Sequence, residues 1–100
     1  MIQNCDLHTH SVFSDGTLTP LELIDLAEKS ELYAVALCDH NTIAGLQDFM
    51  DAARHSAVEA VPGLEFSTDY LGTELHILGL FIRQEHYADV TLFLYESLKR

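Results

Sequence analysis

Two histidines two residues apart, in Asp6-Leu7-His8-Thr9-His10, are followed closely by a carboxylate in Ser14-Asp15-Gly16. On an extended segment residues i and i+2 share a face, so both imidazoles can aim at one ion while Thr9 turns away. The plain alternative is a polar strand end facing water. Ser-Asp-Gly is equally ordinary turn chemistry, although a tight turn also presents a carboxylate rigidly.

Further along, Asp39-His40 closes a fully apolar run. A helix cap accounts for Asn41 or Thr42 but leaves His40 unexplained. His40 is therefore a candidate ligand or a surface imidazole. Asp39 is expected beside it as a carboxylate that accepts from a ligand imidazole and fixes its tautomer. Glu65 and His76 form a second pair. If the chain turns through a two-residue loop at Tyr70-Leu71, Glu65 lies directly opposite His76, with Cβ atoms ~5 Å apart. A slip of one residue would break that facing, and the alternative is a favourable surface pair. His55 and His86 are expected to be solvated, Glu59 and Glu74 to be exposed strand residues, and Tyr33, Phe49 and Phe93 to be core.

The set His8, His10, Asp15, His40, Glu65 and His76 mixes imidazole with carboxylate and contains no thiolate. Those donors suit zinc, manganese or iron and make a poor calcium site. Sharing Glu65 between two ions would make the site multinuclear. Such a site lowers the pKa of a bound water and clamps phosphate oxygens during in-line attack. No Ser-His-Asp arrangement and no phosphate-cradling glycine loop is evident.

These residues need elements that bring them together. Ile2–Leu7 reads as a first strand. Thr19-Pro20-Leu21-Glu22 reads as a helix start, with Thr19 as cap, Pro20 at the first helical position and Glu22 completing a capping box. Tyr33–Cys38 is an apolar run of strand length, as in a sheet covered on both faces. A second helix is expected from Asn41 or Thr42, with Ile43, Leu46, Met50 and Ala53 at helical spacing. Val58–Leu64 reads as a third strand, broken by Pro62-Gly63. Phe66–Ile82 reads as a hairpin, and His86–Arg100 as a last helix with Val90, Phe93, Leu94 and Leu98 on one face. This alternation is an α/β pattern with too few strands to close a barrel. The candidate ligands fall at three successive strand ends, where α/β folds gather their functional groups.

The 100 residues suffice for one domain with its own core. Hydrophobic residues make up 48% and charged ones 21%, which is ordinary globular composition. The net charge of −11, with 5 Lys and Arg against 16 Asp and Glu, offers no basic stripe for a phosphate-backbone binder. Part of that charge could be offset by bound cations. Two cysteines, Cys5 and Cys38, argue for a reducing compartment and against a disulfide framework. The first residues lack a basic start and an apolar stretch, and no run approaches the ~20 apolar residues of a membrane span. A cytoplasmic protein without a membrane segment is the expectation.

"DLHTHSVFSDGTLTP", "ALCDHNTIAGL", "VPGLEFS" and "ELHILGL" resemble the successive motifs of the PHP domain, the polymerase and histidinol phosphatase superfamily. The resemblance runs from about Asp6 to Ile82 and is closest to the stand-alone bacterial phosphoesterases. It implies a distorted (β/α)7 barrel with two to three divalent metal ions at the strand C-terminal ends. His8, His10 and Glu65 would hold one metal, Asp15 and His40 a second, and bridging Glu65 with His76 a third. Family members hydrolyse phosphate esters such as nucleotides, short RNA ends or histidinol phosphate. Asp15, where some relatives carry His, resembles the nucleotide-directed group. Two positions differ from the family pattern: Glu31 stands where Gly is frequent after the first helix, and Cys38 where Thr is common. The family's later ligands, an isolated His and an Asp-x-His, have no counterpart after Ile82. Residues 1–100 are thus expected to be a single, incomplete domain, the N-terminal part of the barrel, with a hairpin near residues 65–82.

The expected activity is that of a metal-dependent phosphoesterase, in which a metal-bound hydroxide attacks phosphorus. The expected partners are a phosphorylated small molecule, nucleotide or short RNA, with self-association of an incomplete barrel. The alternatives are an amidohydrolase-type hydrolase and a non-catalytic metal-binding PHP module. The former would want a metal-bridging lysine at a strand end, and Lys29 and Lys99 fall on helices instead.

Overall fold

The computed structural model describes residues 4–98. In chain order it contains β1 (Cys5–Thr9), α1 (Pro20–Lys29), β2 (Ala34–Leu37), α2 (Leu46–Ala53), β3 (Glu59–Tyr70), β4 (Thr73–Leu80) and α3 (Tyr87–Leu98). A single 3-10 turn, Gln84–His86, leads into α3. The strand start expected at Ile2 and the helix end expected at Lys99-Arg100 lie outside the described residues.

α1 begins as its sequence dictates. Glu22 N donates to Thr19 Oγ1 at 3.2 Å and Thr19 N donates to Glu22 Oε1 at 2.9 Å, a complete capping box. Leu23, Ile24 and Ala27 form its buried stripe. Just past its end Glu31 sits at φ 59, the left-handed conformation that a glycine there would adopt freely.

α2 starts later than expected, at Leu46, behind a Gly45 that makes no side-chain cap bond. Asn41 cannot cap it. This residue is itself left-handed, at φ 53, and its amide is committed to β3 instead. Thr42 Oγ1 accepts only from Ala44 N, a local turn that competes with helix.

The sheet runs in the order β1-β2-β3-β4, with the first three strands parallel and β4 antiparallel to β3. The expected break at Pro62-Gly63 does not occur, and the third strand and first hairpin arm are one strand of 12 residues. Its first part pairs with β2 and its second with β4, the change falling between Pro62 and Gly63. Gly63 fits there because a Cβ would lie 2.7 Å from Cys38 Sγ and 2.9 Å from Gly79 O.

The hairpin turns through Leu71-Gly72, not Tyr70-Leu71. Both turn residues have positive φ, 52 and 81, as a tight two-residue hairpin requires, and Gly is the residue that adopts this without strain. The register is therefore two residues away from the one expected: Ser67 faces His76, and Glu65 faces Leu78.

Both helices that cross between the parallel strands pack against one face of the sheet. Leu23, Ile24, Ala27, Leu46 and Phe49 meet Val35, Leu37 and Leu64 there, and Leu94 of α3 completes the cluster. The other face carries only a small cluster of Ala36, Cys38 and Val61. Strands in sequential order, with their helices on one side, form an open segment of the α/β barrel. Two expected core aromatics are half exposed, Tyr33 at 51% and Phe93 at 55%. Tyr33 precedes β2, while Phe93 leans on Phe66 at a centroid distance of 5.3 Å and leaves the buried position to Leu94. Leu75, Ile77 and Leu78 of edge strand β4 are exposed. Among the described residues no helix is long and apolar enough to cross a membrane.

Candidate metal centre

Glu65 organises the site. It lies on β3 beyond the last β2 pairing, where His40 continues the ladder as an isolated parallel bridge. Its residue is 6% exposed. Oε1 lies 2.7 Å from His8 Nε2, 3.2 Å from His10 Nε2 and 3.8 Å from His40 Nδ1, while Oε2 lies 3.0 Å from His76 Nδ1. Four imidazoles thus surround one buried carboxylate. The hydrogen bond from His8, with help from the other ring charges, holds its carboxyl below the usual range, although burial acts the other way.

His8 and His10 share a face as their spacing dictates. A bulge between Asp6 and Thr9 sets an extra β1 residue against β2 and aims the end of β1 into the site. Thr9, turned away, donates its hydroxyl to Ala36 O at 2.6 Å.

Asp15 reaches the site from the loop after β1. Oδ2 lies 3.1 Å from His40 Nε2 and Oδ1 3.5 Å from His10 Nδ1. The turn and ligand roles coexist: Ser14 N and Gly16 N both donate to Ser11 O. Gly16 is required, since a Cβ would fall 2.1 Å from His10 O.

Asp39 does not do what the sequence suggested. It accepts from no imidazole. Instead it receives Ser11 N at 2.6 Å, Ser11 Oγ at 2.7 Å and Ser14 Oγ at 2.8 Å. Its carboxylate points at the β1 loop, so it fixes the segment that carries Asp15.

His76 reaches Glu65 despite the shifted register, because a displacement of two residues keeps a side chain on the same face. Its Nε2 lies 2.9 Å from Glu74 Oε1, so Glu74 is exposed as expected but not idle. Ser67, between Glu65 and the hairpin tip, places Oγ 3.1 Å from His40 Nδ1 and 2.9 Å from His76 Nδ1. Sequence reasoning missed Ser11, Ser14, Asn41, Ser67 and Glu74. Ser67 had a signal, since it stands two residues after Glu65 on the same strand face. His55 and His86 are exposed, as expected. Lys29 ends α1 and Lys99 is outside the described residues, so no described lysine stands at a strand end.

Three donor groups result, each with ligand atoms within 4.8 Å of one another: His8, His10 and Glu65; His10, Asp15 and His40; and His40, Glu65 and His76. The donor chemistry fits divalent cations. An independent sign is His10 Nδ1, which is buried without a hydrogen-bond partner. An orphaned imidazole nitrogen beside a carboxylate is what a ligating nitrogen looks like when its ion is not drawn.

The family model described as the PHP domain matches residues 6–97. A 5'-3' exoribonuclease of Haemophilus influenzae is 42% identical over 86 residues, covering 86% of this chain and 31% of its own. A 3',5'-nucleoside bisphosphate phosphatase of Chromobacterium violaceum is 40% identical over 79 residues, covering 79% and 28%. A solved Chromobacterium violaceum structure, described as an amidohydrolase with bound sulfate and no metal, superposes with a TM-score of 0.84 at 35% identity, over 93% of this chain and 32% of that one. A Bifidobacterium adolescentis protein, whose assignment as a metal-dependent phosphoesterase is itself a proposal, gives 0.79 at 28% identity, over 96% and 33%. The chain spans about a third of the length of these relatives.

Proposed function

Because this chain belongs to the PHP domain family, we propose that it provides metal ligands for hydrolysis of phosphate esters in nucleotides or RNA ends. The observation that carries this reading is the convergence of four imidazoles and Asp15 around buried Glu65. His8, His10 and Glu65 would hold one ion. Asp15 and His40, joined by the free nitrogen of His10, would hold a second, and Glu65 with His76 a third. Zinc, manganese and iron suit these donors. When bound, such ions lower the pKa of water and neutralise phosphate oxygens. The chain's own part is to hold the ligands in place: β1 and its bulge set His8 and His10, and Asp39 fixes the loop that delivers Asp15.

The nucleotide direction rests on the relatives, whose names specify RNA and nucleoside bisphosphates. On the same reading residues 1–100 are one domain that supplies part of a metal shell completed in longer relatives. The protein acts in the cytoplasm, and its free β4 edge is open to a second copy. The test is metal analysis with a turnover assay on a nucleoside 3',5'-bisphosphate. Stoichiometric zinc, manganese or iron, lost in His8→Ala/His10→Ala, is expected together with phosphate release. Metal without turnover would make the chain a metal-binding module. Unchanged metal in the double variant would reject the site.

A further inference from the structure

We infer that Ser67 is a positioning residue that fixes which nitrogen His40 presents to the site, a reading that rests on the metal centre proposed above. His40 has two ring nitrogens with different surroundings. Nε2 faces Asp15 Oδ2 at 3.1 Å, in one of the donor groups. Nδ1 faces Ser67 Oγ at 3.1 Å, and the competing Glu65 Oε1 is 3.8 Å away, beyond hydrogen-bonding distance. A neutral imidazole carries one proton, and the nitrogen that carries it cannot ligate.

The hydroxyl resolves the choice. Ser67 has one proton to donate and two lone pairs to accept with. Accepting from His40 Nδ1–H leaves its own proton for His76 Nδ1, at 2.9 Å. His76 then carries its proton on Nε2, where Glu74 Oε1 accepts at 2.9 Å. One proton arrangement therefore satisfies Glu74, His76, Ser67 and His40 in series, and it ends with an unprotonated Nε2 of His40 facing Asp15. When Nδ1 of His76 is engaged by an ion, the Ser67 proton turns to water and the bond from His40 is kept.

Ser67 is itself held at both main-chain atoms. Its N–H donates to Asn41 Oδ1 at 2.8 Å, and its carbonyl accepts from Asn41 Nδ2 at 3.2 Å. Asn41 directly follows His40 and adopts φ 53 to reach it, a conformation Asn tolerates better than most residues. The clamp thus fixes the serine relative to the imidazole it steers.

The experiment uses Co2+ alone as the probe, with the visible absorption of the chain recorded during titration, and long-range nitrogen–proton NMR of the metal-free histidines at a pH where they are neutral. Ser67→Ala is expected to weaken Co2+ binding by about ten- to a hundred-fold, the usual size of such outer contacts, and Ser67→Thr to restore most of it. In the metal-free chain His40 is expected to carry its proton on Nδ1, and to shift toward Nε2 in Ser67→Ala. Unchanged Co2+ affinity in Ser67→Ala, at an unchanged melting temperature, would overturn the role. If the parent chain binds no Co2+, the metal reading fails by itself, and the tautomer of His40 then decides the inference: protonation on Nε2 in parent and variant alike would end it.

Discussion

Asp39 and Ser11, both essentially inaccessible to solvent, are joined by two hydrogen bonds into a single buried unit. Ser11 gives its backbone N–H at 2.6 Å and its hydroxyl at 2.7 Å to the two carboxylate oxygens. A carboxylate that accepts donors in this way is far stronger than a neutral acceptor. Asp39→Ala is expected to destabilise the fold by about 2–4 kcal/mol, because it orphans buried donors. Ser14→Ala, which removes one hydroxyl, should cost about 1 kcal/mol. Thermal melts of the metal-free chains measure both, and an Asp39→Ala melt equal to the parent would refute the brace.

Gly16 turns the loop directly under His10. Gly16→Ala would place a methyl group 2.1 Å from a backbone carbonyl, which has no side-chain freedom with which to yield. The loop must shift, so Asp15 should leave His40. A loss of about 2–4 kcal/mol is expected, accompanied by weaker metal uptake.

Glu31 is held at φ 59, where a non-glycine residue carries about 1–2 kcal/mol of strain. Glu31→Gly is expected to gain about 1 kcal/mol net, since glycine also loosens the unfolded chain. A melting temperature raised by about 5 °C would register it. A fall would show that the Glu31 side chain has a partner worth more than the strain.

The pH dependence of Glu65 has a definite sign. Its folded carboxyl titrates below the ordinary 4.5 because His8 and its neighbours favour the charged form. The resulting stabilisation is present above that value and is lost as pH falls through the lower folded pKa. The stability gap between the parent and Glu65→Gln should therefore narrow below pH ~4.5 in denaturant titrations. A gap that widens toward acid would contradict this assignment.

The two thiols should behave differently. Cys5 is exposed, while Cys38 is buried and its thiol is pushed up to about 11 by desolvation and by nearby Glu65 and Asp39. At pH 8 iodoacetamide should label one site per native chain and two per unfolded chain. Rapid double labelling of the native chain would show that Cys38 is not sealed in.

Much of this was legible in the sequence because the signals were local. The Thr19–Glu22 capping box needs only neighbours, and His8-x-His10 needs only the strand period. Glu31 could be read as a left-handed position from its place after the helix. The misreadings share the opposite cause. The turn at Leu71-Gly72 moved the register by two residues because Gly, in preference to Tyr70, takes the second positive-φ place. Asn41 looked like a cap, but its amide serves a main-chain segment 26 residues away. Asp39 was placed beside the correct histidine and given the wrong partner, since the serine it holds is 28 residues distant. Tertiary partners of this kind leave no trace in spacing.

The hairpin that carries Glu65, Ser67 and His76 closes over two residues, so its contacts span short loops such as the 9 residues between Ser67 and His76. His8 must find Glu65 across 57 residues and two crossovers. Loops of such different length close at different times. During folding the β3–β4 half of the pocket should therefore form early, and the β1 half should join it late. A cation captured by the early half would be held weakly, and its tight retention would mark the arrival of β1.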